Sequence, residues 1–282
     1  GLSAFRNGRS VIMILISCVG FINNAYQLSP NIVVLFGFSL YFYALQKSAQ
    51  MPGISAWLLS MGLIFISLNF TAQFIVIALL ILLILPLLSK EWRTPEYLIC
   101  AGGGLALFTL LFGSYVWQLN SVDHAFYLEW EGKYLSFISF NLADYGQSAL
   151  FLVETLAWYL IPAWVLVIWT LYKRRSRIFQ DKILTLSLLS SGLLLLFAIL
   201  SGQHDESVIF PIIIPLVLLA SVEIDSIKIT IVSLLNWFCI FTFGLAGAFI
   251  ATLYIALNFG RPHELFIKAK YYAPNYAFQF NV

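Results

Sequence analysis

Ile183-Leu-Thr-Leu-Ser-Leu-Leu-Ser-Ser-Gly-Leu-Leu-Leu-Leu-Phe-Ala-Ile-Leu200 is a long apolar run without a charged residue. The hydrocarbon core of a bilayer is about 30 Å thick, and an α-helix needs roughly 20 apolar residues to cross it. A polar turn, Ser201-Gly-Gln-His-Asp-Glu206, follows at once, and a second apolar run begins after it. This alternation predicts a hairpin of two membrane-spanning helices.

The composition of the whole chain agrees with this local pattern. Apolar residues make up 61% of the 282 positions and charged residues 10%. Soluble globular domains carry roughly 25% charged and 45–50% apolar residues, so that class is excluded. A disordered chain, which is poor in apolar residues, is excluded as well. We therefore predict an all-α, polytopic transmembrane helical bundle, with residues 1–258 as the membrane domain and 259–282 as a tail outside it.

About nine apolar runs are long enough to be membrane spans. The chain begins with Gly1 rather than Met and ends at Val282 without a recognisable terminator, so we expect it to be truncated at both ends. The nine predicted spans cover residues 10–25, 30–46, 54–69, 71–88, 97–118, 148–172, 183–200, 207–222 and 229–258.

The distribution of Lys and Arg predicts the orientation of these spans. Connections on the cytoplasmic side of a membrane protein are enriched in basic residues. A cytoplasmic N-terminus and a periplasmic C-terminus place eleven of the 15 basic residues on the inside. These eleven are Arg6, Arg9, Lys47, Lys90, Arg93, Lys173, Arg174, Arg175, Arg177, Lys182 and Lys228.

One connection on the predicted outer side, residues 119–147, is unusually long at about thirty residues. It mixes charged residues, among them Lys133, with aromatic ones such as Trp130 and Tyr134. This mixture suits a short amphipathic helix that lies in the membrane interface. A solvated loop with interfacial anchors is the alternative. Lys133 is a candidate substrate-binding residue.

Glu154 is the clearest ionisable residue inside an apolar run. Such residues are costly in a membrane and often mark a pathway or a site. Glu154 can therefore face a water-filled cavity and contact a sugar or a basic loop residue. The alternative is that its carboxylate reaches the interface near Gln147.

His204, Asp205 and Glu206 form the second candidate group, between two apolar runs on the predicted outer side. A plain solvated turn is the alternative, although three adjacent ionisable residues exceed what a turn requires. His204 can donate hydrogen bonds to a phosphate at the membrane surface.

Amides and hydroxyls gather at the outer end of the first predicted hairpin, where Asn31 is the candidate sugar-binding residue; the same groups also end helices. This group of amides and hydroxyls consists of Asn23, Asn24, Gln27, Ser29 and Asn31.

No metal or cofactor site is expected, because the Cys and His residues lack metal-ligand spacing and no Gly-rich loop suggests a nucleotide.

Several stretches carry a resemblance to a known family. They are Gly8-Arg9-Ser10 followed by Gln27-Leu-Ser-Pro30-Asn31, the run Trp57–Leu68, the loop Glu129-Trp-Glu-Gly-Lys133-Tyr134, and Ser201–Ala220 with its Phe210-Pro-Ile-Ile-Ile-Pro215. The sequence resembles the membrane-embedded GT-C glycosyltransferases that include protein O-mannosyltransferases and the bacterial lipid A aminoarabinose transferase. Two departures stand out: Asn69-Phe-Thr-Ala72 replaces a Lys-Gly turn, and His204 stands where Lys or Arg is common.

The resemblance implies a glycosyltransferase of the bacterial inner membrane. Its donor would be a polyprenyl-phosphate-linked sugar, and its lipid or protein acceptor would be reached from the periplasmic side. The family's catalytic base lies in the first outer loop, which is expected upstream of Gly1, so no catalytic residue is assigned and this fragment is expected to be inactive alone. Nucleic acid is not an expected partner. A transporter or flippase for a lipid-linked substrate, and a structural subunit of a membrane complex, are the alternative functions.

Overall fold

The computed structural model describes most of the chain. The described residues are 2–25, 29–69, 72–135, 142–176, 178–202, 205–226, 229–259, 263, 265 and 267. Within these ranges every regular element is helical and none is a strand, which confirms the predicted all-α class. The chain divides into two compact units, Gly1–Asp225 and Ser226–Val282.

The first unit contains twelve of the α-helices in the described ranges, and the second contains α13 (Ile229–Phe259). Short 3₁₀ turns lie at Lys90–Trp92, Phe210–Ile212 and Ile224–Ser226. The helices of the first unit are α1 (Leu2–Ser17), α2 (Val19–Ala25), α3 (Pro30–Lys47), α4 (Pro52–Ser67), α5 (Gln73–Leu88), α6 (Pro95–Val122), α7 (His124–Leu135), α8 (Leu142–Tyr159), α9 (Ala163–Arg174), α10 (Lys182–Leu200), α11 (Glu206–Ile209) and α12 (Ile213–Val222).

Proline fixes the start of several helices. Pro30, Pro52 and Pro95 begin α3, α4 and α6. The first helical position leaves its N–H without an intrahelical acceptor in any case, so proline loses nothing there and its fixed φ favours the helix. These starts lie within a few residues of the predicted ones.

The predicted single helix over 148–172 is wrong. The structure divides this segment into α8 and α9, whose axes differ by 98°. The break covers Leu160–Pro162, where Pro162 has no N–H to continue the helical ladder. Apolar character alone does not distinguish such a bent pair from one straight span.

Two helices of the described chain, α6 and α10, are long and apolar enough to cross a membrane, and the bent pair α8–α9 is a third candidate. Shorter apolar helices accompany them over Gly8–Ser17, Pro52–Ser67, Gln73–Leu88, Glu206–Val222 and Phe243–Leu257. A helix of 16 residues is only about 24 Å long, which is less than a full hydrocarbon core.

Glycine lets the central helices approach closely. A Cβ built on Gly37 of α3 would lie 2.9 Å from the carbonyl oxygen of Gly62 in α4, and one on Gly62 would lie 2.9 Å from the carbonyl oxygen of Gly37. Gly104 does the same for α6, since a Cβ there would lie 3.1 Å from the Ala56 carbonyl oxygen of α4. Small residues at such crossings are typical of helix packing in membranes.

Helix α5 contains a proline, and a tyrosine of α6 compensates for it. The carbonyl of Leu82 would normally accept from the N–H of residue 86, but residue 86 is Pro. The buried Tyr97 hydroxyl donates to this carbonyl at 2.7 Å. One turn earlier, the Tyr41 hydroxyl donates to the Ala78 carbonyl, also at 2.7 Å. The middle of α5 is thereby tied to two neighbouring helices, α3 and α6.

We expect Tyr97→Phe to lower the free energy of unfolding by about 1–3 kcal/mol, because the buried Leu82 carbonyl loses its donor. In a Pro86→Ala background, residue 86 can donate an N–H to the same carbonyl, so Tyr97→Phe should cost less there. Unfolding of the four proteins of this double-mutant cycle in detergent measures the difference.

Tyr115→Phe is the matched control, because Tyr115 lies on the same helix and is 46% exposed. Its loss of stability should be small. Equal costs of Tyr97→Phe with and without Pro86 would contradict the compensation.

Candidate functional site

The structure gathers polar side chains from three helices around Tyr159. We call Asn24, Tyr159, Asp205 and Glu206 the Tyr159 cluster. The Asn24 side-chain amide donates to the Tyr159 hydroxyl at 2.7 Å and to the Gly20 carbonyl at 3.0 Å. The carboxylates of Glu206 and Asp205 lie within electrostatic range of the same hydroxyl. The Tyr159 oxygen accepts from Asn24, so the hydroxyl acts as a donor toward its other neighbours.

The position of Tyr159 depends on Gly20 in α2. A Cβ at residue 20 would lie 2.2 Å from Cε1 of the Tyr159 ring, so the ring occupies the space that any other residue would fill. Tyr159 is the last residue of α8 and is buried, at 5% exposure. Its hydroxyl therefore lies at the end of the helices, held by packing on one side and by Asn24 on the other.

Asp205 and Glu206 are exposed and lie within electrostatic range of this hydroxyl. Asp205 caps the short helix α11: its carboxylate accepts from the Ser207 N–H at 3.3 Å and from the Ser207 hydroxyl at 2.7 Å. Part of its role is thus local structure, as in a plain turn. His204, the third residue of the predicted group, lies outside the described residues.

Glu154 is not part of the Tyr159 cluster. It lies in α8 on an exposed stripe with Leu150 and Trp158, four residues before and after it. Tyr159 lies on the buried side of the same helix. Two predictions therefore stay open for Glu154: its carboxylate faces a water-filled cavity, or it reaches the membrane interface.

Lys133 lies in α7, a helix that confirms a short helical segment within the predicted outer connection. Its ammonium donates to the Glu129 carboxylate at 2.7 Å, one turn away, and both side chains are largely exposed. This hydrogen bond and the charge of Lys133 hold the pKa of Glu129 below its ordinary value. Asn31, by contrast, is half-buried in the first turn of α3.

An aromatic stripe attaches α7 to the rest of the first unit. The Trp130 and Tyr134 rings stack with centroids 4.7 Å apart, and the Tyr134 ring contacts that of Phe112 in α6 at 6.4 Å. The Tyr134 carbonyl also accepts from the Ala72 N–H at 2.8 Å. Burial raises the pKa of Tyr134 to about 12. These contacts make α7 a packed element whose polar side, with Glu129 and Lys133, faces outward.

A second charged group, not predicted from the sequence, lies at the opposite end of α10. Glu223 is buried, at 7% exposure, and accepts from the Lys173 ammonium at 2.8 Å and from Nε of Arg174. It follows α12, while the two cations end α9. The sequence contained an indication of this contact. Glu223 is a lone acid at the end of the predicted span 207–222, and that end was predicted to lie on the same inner side as Lys173 and Arg174.

No protein-family model, no curated protein and no solved structure matches this chain. The resemblance to GT-C transferases therefore stays a prediction. Within the described residues, the Tyr159 cluster offers a hydroxyl donor, an amide and two carboxylates. Such groups suit the hydroxyls of a sugar, because carboxylates accept hydrogen bonds from them and tyrosine and asparagine can do both.

We expect Glu223→Gln to lower the free energy of unfolding by about 1–3 kcal/mol, because two charge-assisted hydrogen bonds lose their acceptor charge. Lys173 and Arg174 are 44% and 35% exposed, so water covers part of the loss. Chemical unfolding in detergent measures the effect. Glu129→Gln removes a carboxylate from a fully exposed pair and is the matched control, with no measurable loss expected. Equal effects of the two changes would contradict a structural role for Glu223.

Proposed function

We propose that this chain is a multi-pass domain of the bacterial inner membrane, with about nine spans, a cytoplasmic N-terminus and a periplasmic C-terminus. Two groups at opposite ends of α10 support this arrangement. Arg174 and Lys182 share a polar pocket at its start, whereas Asp205 and Glu206 follow its end. The helix has 19 residues and so separates them by about 28 Å. The basic end suits the cytoplasm.

We further propose that the domain belongs to a glycosyltransferase that moves a sugar from a polyprenyl-phosphate donor to a lipid or protein acceptor on the periplasmic side. The observation that carries the proposal is the Tyr159 cluster. It joins hydroxyl-binding groups at one end of a bundle whose outer helices expose apolar side chains such as Trp158 and Leu196. A substrate with an apolar tail and a sugar head meets both kinds of surface.

The residues of the cluster have separable roles in this proposal. The Asp205 and Glu206 carboxylates accept hydrogen bonds from sugar hydroxyls, and the Tyr159 hydroxyl donates one. Asn24 fixes the direction of that donation by occupying the Tyr159 oxygen. Carboxylates repel a phosphate, so the anionic group of the donor belongs away from Asp205 and Glu206.

The transfer itself is a substitution at the anomeric carbon. An acceptor oxygen forms the new bond, the bond from that carbon to the phosphate oxygen breaks, and polyprenyl phosphate leaves with the electron pair. A carboxylate takes the acceptor proton as general base. The cluster positions the sugar for this step, and the base is not assigned to any residue of this chain.

Transfer of labelled sugar from a polyprenyl-phosphate donor, in membranes that contain the intact protein, tests the proposal. We expect Glu206→Gln and Tyr159→Phe each to reduce transfer about tenfold or more, as the loss of one charge-assisted or buried hydrogen bond implies. Asp205→Asn should do the same while leaving α11 capped, since Asn caps as well as Asp.

Glu91→Gln is the control. Glu91 is exposed in the short turn that follows α5 and is not part of the Tyr159 cluster, so this change should leave transfer unchanged. Equal transfer by all variants would remove the cluster from the site. Uptake of substrate into proteoliposomes without transfer would favour a transporter, and loss of a partner complex with unchanged glycans would favour a structural subunit.

Cysteine labelling tests the orientation separately. In a cysteine-free background, a maleimide that cannot cross membranes should label Glu206→Cys in intact spheroplasts. It should label Arg175→Cys only after the membrane is opened. Both positions are exposed, so accessibility within the protein does not bias the comparison. Labelling of both from the same side would overturn the topology and the transferase proposal with it.

A further inference from the structure

An apolar groove runs along one side of α10. Its volume is about 280 Å³, and it begins beside Leu88 and Phe179. From there it follows α10 at helical spacing, through Thr185 and Gly192 to Leu196. The Thr185 hydroxyl is already bonded to the Ile178 and Asp181 carbonyls, so this residue adds no free donor to the groove wall.

A polar pocket of about 480 Å³ lies at the same end of α10. It is lined by Arg174, Gln180, Asp181 and Lys182. Phe179 lines the groove and its neighbour Gln180 lines the pocket, so one turn of the chain contributes to both cavities. The Ser89 hydroxyl donates to the Phe179 carbonyl at 2.9 Å and fixes this turn against the end of α5.

We propose that the groove and the pocket together bind one anionic glycerophospholipid of the cytoplasmic leaflet, with its phosphate in the pocket and one acyl chain in the groove. The length of the groove supports this occupant. From residue 185 to residue 196 the helix rises by about 16 Å. Half of a 30 Å hydrocarbon core is about 15 Å, so the groove spans one leaflet from its polar edge to the midplane.

The charges of the pocket favour an anionic headgroup over a zwitterionic one. Lys182 is the cation of the pocket that is not paired with Glu223, since Arg174 also lines the pocket but donates to that carboxylate through Nε. Arg175 follows Arg174 directly and is exposed. The Asp181 carboxylate accepts from the Ile183 N–H at 3.0 Å and caps α10, which commits part of its capacity to the helix. The Lys182 ammonium lies 5.5 Å from the centroid of the Trp92 ring. This cation–π contact holds the cation beside the turn that follows α5.

This lipid site rests on the proposed orientation but not on the transferase activity. It lies at the opposite end of α10 from the Tyr159 cluster and shares no residue with it. A transfer assay can therefore fail while the lipid site stands, and the reverse also holds.

Native mass spectrometry of the intact protein, titrated with dioleoyl phosphatidylglycerol or dioleoyl phosphatidylcholine, tests the proposal. We expect one phosphatidylglycerol per chain, bound several-fold more tightly than phosphatidylcholine. Lys182→Gln should weaken it about fivefold, as one lost cation near an anionic lipid implies. Gly192→Phe should block the groove and abolish this binding. Nothing lies within 4 Å of a Cβ at residue 192, so the added side chain leaves the helix into open space.

Two controls match these variants. Lys47→Gln removes another cation from the predicted inner side, and Gly113→Phe adds a ring at another unobstructed helical glycine, in α6. Both should bind phosphatidylglycerol as the parent protein does. Equal affinity for the two lipids, equal losses in the controls, or complete displacement by inorganic phosphate with no effect of Gly192→Phe would each overturn the proposal. A thermal unfolding curve for every variant confirms that it is folded.

Discussion

Backbone carbonyls that lose a helical donor must find another one where water does not reach, and this constraint organises the first unit. Pro86 removes a donor from the last turn of an apolar helix, and the Tyr97 hydroxyl replaces it at the Leu82 carbonyl. Some buried hydroxyls find their acceptor inside their own helix, as Ser67 does by donating to the Leu63 carbonyl. Helices are the result because only they satisfy each backbone group within the segment itself.

The sequence was sufficient for several of the helices, because burial in an apolar medium leaves a direct trace in composition. It did not predict that the runs 10–25 and 207–222 are each divided into shorter helices. The bounds of α3, α5 and α10 lie within about two residues of the predicted runs. It was not sufficient for the bend between α8 and α9. Whether a proline breaks a helix depends on whether neighbouring groups satisfy the carbonyls that it leaves without a donor. The helix is interrupted at Pro162, between α8 and α9, whereas α5 continues through Pro86.

The candidate site was predictable only in part, for the same reason. Asp205 and Glu206 stand out as adjacent acids between apolar runs. Asn24 was recognised only as one of five polar residues at the end of a predicted hairpin, and Tyr159 was not singled out. Their partnership joins residues 135 positions apart and depends on the space left by a glycine. Glu223 was likewise missed. A single acid at the end of an apolar run indicates little until its ion pairs with Lys173 and Arg174, about fifty residues earlier, are known.

The two ends of α10 also differ in how their charges are satisfied, and this difference bears on function. At the Glu223 end, a buried carboxylate meets two cations, so a fixed structural contact is established and the further cation Lys182 faces a cavity. At the other end, Asp205 and Glu206 are exposed and lie within electrostatic range of Tyr159, whose oxygen accepts from Asn24. One end is therefore complementary to anions and the other to neutral hydroxyls. The two ends lie about 28 Å apart along α10, so no single headgroup reaches both, and each end requires its own ligand.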